Sequence, residues 1–370
     1  MRLLSPRTRL AVPATLFAVS LAVAIPTLAA PPSYEIKNLV SDIAGADHLD
    51  ADLVNPWGVA FNPTGFVWVA DNRTGKSTLY DGQGAKAGLI VTIPPRTGTG
   101  KGTPTGIVFN GTSDFRIVAT PGAMPVVAPF LFVSEDGLVS AWAPPLTTAQ
   151  PVGSNAASNY KGVAIAGNGV VNRLYAADFP GRKIDVYSAV FAPTTVPGGF
   201  ADPSIPAGYG PFNIMNLQGN LYVTYAKFDD EGDEVAGPSL GFVRVFDADG
   251  FLLKRLISRG QLNAPWGLAI APAGFGRFSN RLLVGNFGDG MINAFDIANG
   301  HFVGSLRTAK GKPEGIEGLW GIAFGNGVRD QPTDTLFFAA GIEDEEHGLY
   351  GRIDAIGTDH GNENNGNDED

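Results

Sequence analysis

The chain has 370 residues, no cysteine and a formal net charge of −10 at pH 7. Its 49 glycines, 27 prolines and 44% hydrophobic residues indicate a turn-rich, well-cored all-β protein. The acidic balance disfavours nucleic acid and anionic membrane surfaces as partners, and the lack of cysteine means that no disulfide stabilises the chain.

The first 30 residues predict a secretory signal peptide. Three arginines within the first nine residues precede an apolar run from Leu10 to Ile25, and residues 27–30 end in the small side chains typical of a cleavage site. An uncleaved membrane anchor is the alternative. Cleavage leaves 23 basic against 36 acidic residues, a net charge of about −13, and no later segment has the roughly 20 apolar residues that span a bilayer. We therefore expect an exported protein, extracellular or periplasmic, with no membrane span after cleavage.

A motif of one turn followed by a short apolar strand occurs six times after this leader. Successive motifs are 48, 56, 51, 54 and 54 residues apart when these positions are taken as equivalent: Gly58, Gly106, Gly162, Asn213, Gly267 and Gly321. A second and a third strand follow each motif, too short for helices and bounded by turn residues. Repeats of this length built from strands predict the blades of a β-propeller.

The ends of the chain predict how the ring closes. Leu89–Ile93 reads as the fourth strand of blade 1, but blade 6 has no apolar sequence after Ile356. An open sheet edge there would be prone to aggregation, and Tyr34–Val40, which precedes the first motif, has the character of a strand. We predict an all-β fold, a six-bladed β-propeller of four-stranded blades, with residues 34–40 as the outer strand of blade 6. The domain would span residues 31–356, and the acidic residues 357–370 would form a disordered tail.

Five segments carry a resemblance to a known family: NPWGVAF at 55–61, WVADN at 68–72, APWGLAIAP at 264–272, LLVGNFGDG at 282–290 and LWGIAFGNG at 319–327. Through them the chain resembles a family of exported bacterial proteins of uncharacterised function, distantly similar to NHL-type propellers, over essentially residues 34–356. The resemblance implies the same fold and export, and it brings no catalytic residue. Some members end in a sorting segment, whereas this chain ends in acidic residues, which favours release over anchoring.

The predicted fold indicates where a ligand would bind. The turn that enters each first strand and the loop between the second and third strands lie on one face, around the mouth of the central channel. The candidate ligand-binding residues there are Asn55, Trp57, Asp71, Asn72, Asp178, Trp266, Asn286 and Trp320, with Glu135, Asp136 and Asp289 beside them. A divalent cation or a sugar-like ligand would suit such a ring. Alternatively, the tryptophans pack between blades and the acidic and amide side chains cap turns.

The sixfold pattern breaks most strongly in an acidic loop of blade 4, residues 227–234. Clustered carboxylates suit Ca²⁺, and the candidate ligands are Asp229, Asp230, Glu231 and Asp233. Blade 6 has a shorter counterpart at residues 343–347. The spacing does not match an EF-hand, and a solvated run of charge is the alternative. Ca²⁺ is the only cofactor that the sequence suggests.

Two functions follow from these patterns. The first is a binding or interaction module whose channel face takes up a glycan, a peptide or a partner protein of the cell envelope or matrix. The second is a Ca²⁺-dependent, lactonase-like hydrolase with carboxylate and asparagine ligands at the channel mouth. The chain has only four histidines, none at the repeated channel-face positions, which disfavours zinc hydrolysis and Ser-His-Asp catalysis. The sequence shows no motif that would position an acid–base pair, so it favours binding over catalysis.

Overall fold

The computed structural model describes residues 33–309 and 313–356, and within them it confirms the all-β, six-bladed propeller. The first half of the chain contains β1 (Ser33–Ser41), β2 (His48–Leu49), β3 (Pro56–Phe61), β4 (Val67–Asp71), β5 (Lys76–Tyr80), β6 (Val91–Thr92), β7 (Pro104–Phe109), β8 (Arg116–Ile117), β9 (Val126–Val127), β10 (Phe130–Ser134), β11 (Leu138–Trp142), β12 (Gln150–Ser154), β13 (Tyr160–Gly167), β14 (Asn172–Asp178), β15 (Lys183–Ser188) and β16 (Pro193–Thr194).

The second half contains β17 (Tyr209–Leu217), β18 (Asn220–Lys227), β19 (Phe242–Phe246), β20 (Leu252–Ser258), β21 (Pro265–Ile270), β22 (Leu282–Asn286), β23 (Ile292–Phe295), β24 (Phe302–Ser305), β25 (Leu319–Phe324), β26 (Leu336–Ile342) and β27 (His347–Ile356), with one 3₁₀ turn at Gly276–Phe278. Blades 1 to 5 are antiparallel sheets in the orders β3-β4-β5-β6, β7-β10-β11-β12, β13-β14-β15-β16, β17-β18-β19-β20 and β21-β22-β23-β24. The hairpin of β8 and β9 is an insertion in blade 2.

Blade 6 closes the ring as predicted. Its order is β25-β26-β27-β1, and β1 pairs antiparallel with β27 from Ser33 opposite Ile356 to Ser41 opposite Leu349. The short strand β2 adds to β1 in parallel. The N-terminal strand therefore occupies the edge that the last repeat leaves open.

The fourth strand of blade 1 is shorter than the sequence indicates. Only Val91 and Thr92 pair within the blade, and Thr92 also exchanges backbone hydrogen bonds with Thr147 and Ala149 of blade 2. The predicted run from Leu89 is therefore not a continuous strand.

The recurring glycines are explained by how closely the innermost strands approach one another. A Cβ added at Gly58 would lie 2.7 Å from the Thr105 carbonyl oxygen, and one at Gly321 would lie 2.5 Å from that of Trp57. Blade 4 carries Asn213 at this position, and its amide donates to the Trp266 carbonyl oxygen at 2.9 Å. The motif glycines thus serve backbone contact between neighbouring blades.

Apolar cores lie between adjacent blades, as the stacking of Trp68 in blade 1 on Phe130 in blade 2 illustrates, with ring centroids 4.0 Å apart. No helix in the described part of the chain is long and apolar enough to cross a membrane. The predicted signal peptide and acidic tail lie outside the described residues.

Candidate functional site

Loops from five blades enclose a cavity of about 660 Å³ at one end of the central channel, which we call the mouth cavity. Its volume is within the range of small-molecule sites. The side chains around it are mostly polar or charged, with two aromatic rings: Asn55, Trp57, Asn72, Arg73, Lys101, Thr103, Glu135, Lys161, Asp233, Glu234, Phe287, Asp344 and Glu345. The face predicted from the sequence is therefore the one that carries this cavity.

An aromatic cluster lies at the base of the mouth cavity. Trp57 stacks on Trp320 with ring centroids 3.5 Å apart, and Trp266 meets both rings edge-on at 6.3 and 5.8 Å. Phe287 stacks on Trp320 at 4.1 Å and is only partly buried. Because the three tryptophans are at most 4% exposed, none of the three offers an open face for a sugar ring.

A buried ion pair occupies the centre of the site. Lys161 is 3% exposed, and its Nζ lies 2.8 Å from Glu135 Oε1 and 4.8 Å from the centroid of the Trp57 ring. Asn72 donates to the other oxygen of Glu135 at 3.0 Å. Burial alone would lower the pKa of Lys161 and raise that of Glu135, but their mutual attraction outweighs it, so the pKa of Lys161 is raised and that of Glu135 is lowered. Both groups are therefore charged at neutral pH.

Two further carboxyl groups face the same ammonium group. Burial raises the pKa of Glu234 to about 7, and the attraction of Lys161 only partly offsets it. Burial also raises the pKa of Glu345, which accepts a hydrogen bond from Trp320 Nε1 at 3.2 Å. One buried lysine is thus shared by three carboxyl groups, and Glu234 changes protonation state close to neutral pH.

The acidic loop of blade 4 folds as a small hairpin that brings Glu234 to the cavity. Asp229 and Asp233 are joined by a backbone hydrogen bond of 3.0 Å, and Val235 donates to the Lys227 carbonyl oxygen at 2.8 Å. The Asp229 carboxylate accepts the backbone N–H groups of Glu231 and Asp233, each at 3.0 Å. That carboxylate therefore stabilises its own turn.

Of the four predicted Ca²⁺ ligands, Asp233 lines the mouth cavity, while Asp229, Asp230 and Glu231 do not. Among the described residues, no three or more Asp, Glu or His side chains are grouped so that they would hold a metal ion. Ca²⁺ binding by the blade 4 loop therefore stays a prediction of the sequence.

The predicted ligand-binding residues fall into three sets. Asn55, Trp57 and Asn72 line the mouth cavity, and Trp266 and Trp320 form its base. The remaining three are fully buried within their own blades: Asp71, Asp178 and Asn286.

Two of these three buried side chains hold neighbouring loops to strand ends. Asp178 accepts the backbone N–H of Asn159 at 3.0 Å, and Asn286 donates to the Gln261 carbonyl oxygen at 2.8 Å. Both carboxylate oxygens of Asp71 are buried without a hydrogen-bond partner within the described residues, and burial raises the pKa of this carboxyl well above its ordinary value. None of the three side chains is exposed to a ligand.

Sequence reasoning missed the groups that dominate the electrostatics of the site, Lys161, Glu234 and Glu345. One signal was available, because Lys161 is the only charged residue in the six innermost strands. A charge in the most buried strand of a blade requires a partner.

Several proteins are similar to this chain in sequence. The NHL repeat family matches residues 53–76. Uncharacterized protein R648 of Acanthamoeba polyphaga mimivirus is 36% identical over 335 residues, which cover 87% of this chain and 80% of the viral protein. Uncharacterized protein L690 of the same virus is 36% identical over 326 residues, covering 83% and 82%.

The chain belongs to the family of these mimivirus proteins. It carries an NHL-like β-propeller, as the sequence indicated. The family members found are viral and uncharacterised, so they do not show the exported bacterial family that the sequence resembles.

Solved structures share the fold. A streptogramin B lyase structure superposes with a TM-score of 0.51 at 13% identity, covering 89% of this chain and 100% of the other. A protein of unknown function from Bacteroides thetaiotaomicron gives a TM-score of 0.53 at 13% identity, covering 87% and 76%. At this identity the likeness shows the fold alone.

Proposed function

We propose that the protein is a binding module that takes up a small polar ligand, or the polar end of a peptide or glycan, in the mouth cavity. One observation carries this proposal. Four charged side chains from four different blades converge there: Glu135, Lys161, Glu234 and Glu345. Lys161 is the only one of the four that is fully buried, and a buried charge is costly unless it is paired. The three half-buried carboxyl groups around it leave charged surface that a polar ligand could contact.

The arrangement also has the form of a recognition site. The polar groups are few, and Lys161 is fixed on the innermost strand of its blade by the ion pair with Glu135. Beside them lies the partly exposed ring of Phe287. Directional polar groups over an apolar base, in a cavity of this size, are what orients a small ligand. In keeping with the predicted signal peptide, we propose that binding takes place outside the cytoplasm.

A thermal-shift screen of amino acids, short peptides, sugars and amines, followed by calorimetry, tests the proposal. We expect compounds that raise the melting temperature of the wild type to lose most of this effect in Glu345→Gln. The control is Glu231→Gln, on the same face but outside the cavity, and it should respond like the wild type. Equal responses of both variants to every compound, or no response at all, would contradict binding at the mouth.

A second candidate, a carboxyl-based acid–base enzyme, is favoured by the pKa values of two glutamates in the cavity. The pKa of Glu135 is lowered by Lys161, whereas burial raises that of Glu234 to about 7. Two carboxyl groups whose pKa values are shifted in opposite directions are typical of acid–base pairs. The test is turnover of lactones and esters, which should be lost in Glu234→Gln and kept in Glu231→Gln.

A further inference from the structure

A second cavity, of about 260 Å³, lies at the opposite end of the central channel, and we call it the far cavity. The mouth cavity is where the innermost strands begin, whereas the far cavity is lined by their later residues, such as 58–61 of β3 and 106–109 of β7. The innermost strands of all six blades contribute to it. Within the described residues, the two linings have no residue in common, so the far cavity is a separate site.

The aromatic cluster divides the channel between the two cavities. Trp266 lines the far cavity and Trp57 lines the mouth cavity, and their rings meet edge-on with centroids 6.3 Å apart. Trp320 stacks on Trp57 at 3.5 Å, and all three tryptophans are at most 4% exposed. The channel is therefore closed in its middle, and a ligand of the far cavity has to enter from the far face.

The lining of the far cavity is apolar. None of its side chains is charged, and the polar ones are Asn213 and Asn216. Both amides are already engaged: each donates to a carbonyl oxygen at 2.9 Å, that of Trp266 or Ile165, and each accepts a backbone N–H, at 2.8 and 3.0 Å. A buried water needs two to four polar partners. The side chains of this cavity leave water few of them, which favours an apolar occupant.

The far cavity is long and narrow. Four consecutive residues of β3 and four of β7 line it, which at about 3.2–3.4 Å per residue gives a length of roughly 10 Å. Its volume then corresponds to a width of about 6 Å, and because carbon atoms in contact lie about 3.5–4.0 Å apart, one carbon chain fits and two side by side do not. A cavity of about 150 Å³ holds benzene, so by proportion this one holds about ten carbon atoms.

The open end of the far cavity lies among exposed apolar side chains. Phe61, Phe109 and Met215 in the lining are half-buried, whereas Ile107 and Val163 are 8% and 5% exposed. The loops that follow the innermost strands form the far face. These loops carry many of the large apolar side chains that are exposed in the described part of the chain: Val118, Met124, Val126, Val170, Val171 and Val328. Apolar surface gathered on one face is typical of a site that takes up apolar ligands.

We propose that the far cavity binds an unbranched alkyl chain of about ten carbon atoms, the apolar part of a small amphiphile whose polar end stays at the far face. The absence of charge, the engaged asparagines and the narrow shape all favour this class of ligand. The inference goes beyond the function proposed for the mouth cavity and does not depend on it, because the aromatic cluster separates the two sites.

The test is calorimetry of the full chain with the primary alcohols butanol, hexanol, octanol, decanol and dodecanol, each below its solubility limit. We expect the affinity to rise about fourfold per added methylene, since each one buried contributes about 0.8 kcal/mol. The rise should stop at about ten carbon atoms, where the cavity is full. Ethylhexanol, a branched isomer of octanol, should bind at least about tenfold more weakly than octanol, because the cavity is one chain wide.

A methionine substitution assigns the binding to this cavity. Met215→Ala shortens a half-buried side chain of the lining, so the rise in affinity should continue to dodecanol. The matched control is Met291→Ala, which changes another half-buried methionine that lines neither cavity, and it should keep the limit of the wild type. Unfolding curves establish that both variants are folded. If Met215→Ala does not fold, the limit in the wild type and the weak binding of ethylhexanol decide the proposal.

Several results would overturn the proposal: no binding of any alcohol, a rise in affinity through dodecanol in the wild type, equal binding of ethylhexanol and octanol, or the same limit in folded Met215→Ala. Glu345→Gln separates the two sites, because it changes the mouth cavity alone and should bind the alcohols like the wild type. Loss of alcohol binding in Glu345→Gln would place the alcohols in the mouth cavity, which would refute this inference and support the function proposed above.

Discussion

Replacing Lys161 by Met removes the only buried cation of the mouth cavity while keeping the length of the side chain. The side chain of Lys161 is 4% exposed and that of its partner Glu135 is 29% exposed. Removing one member of a buried pair costs about 3–5 kcal/mol, and the partial exposure of Glu135 favours the lower end, about 3 kcal/mol. With about 2.1 cal/mol/K of unfolding entropy per residue over roughly 320 described residues, the melting temperature should fall by about 4–5 °C.

Urea unfolding at pH 7, followed by tryptophan fluorescence, measures the loss directly. The double variant Lys161→Met with Glu135→Gln should recover part of the stability, because it no longer leaves an unpaired carboxylate. The matched control is Arg281→Met, whose arginine side chain is 37% exposed and pairs with Asp296, itself 28% exposed, at 2.8 Å, and it should cost less than about 1 kcal/mol. If Lys161→Met costs no more than this control, the ion pair is not the centre of the site.

Four further outcomes are expected. Glu234→Gln should match the wild type in stability at pH 4.5 and exceed it by about 3 kcal/mol at pH 8, because a carboxyl pKa raised to about 7 costs stability that grows as pH rises from about 4.5 to 7; parallel pH curves of unfolding free energy would contradict this. Gly321→Ala should destabilise by about 2 kcal/mol or more, since its Cβ would meet the Trp57 carbonyl oxygen at 2.5 Å, whereas Gly88→Ala, with open space around it, should be neutral in the same melt. Deleting residues 1–41 removes β1, exposes the edge of blade 6, and should give aggregated protein in size-exclusion chromatography. Because no three acidic or histidine side chains are grouped for a metal ion within the described residues, Ca²⁺ added after EDTA treatment should leave the melting temperature unchanged, and a rise of several degrees would instead support the Ca²⁺ prediction for the blade 4 loop.

The repeated pattern of the chain was sufficient to predict the blades and the closing strand. Strand periodicity and turn residues are local properties, and a missing partner for β27 is evident from the order of strands alone. The glycines of the innermost strands could be aligned from the sequence. The reason why glycine is required at these positions could not be predicted from it. A Cβ at Gly58 is excluded by the Thr105 carbonyl oxygen of the next blade, a contact that exists only in the closed ring.

The sequence by itself determined the fold, the face of the propeller that carries the cavity, and the position of the acidic loop of blade 4. Only the tertiary structure decided which side chains meet. Asp71 and Asn72 are neighbours in the chain, yet the first is buried in its own blade and the second donates to Glu135. Lys161, Glu135 and Glu345 come from blades 3, 2 and 6, and they interact because closing the ring brings those blades to one axis. Their pKa values follow from shared burial and from charges distant in sequence, which no local pattern encodes.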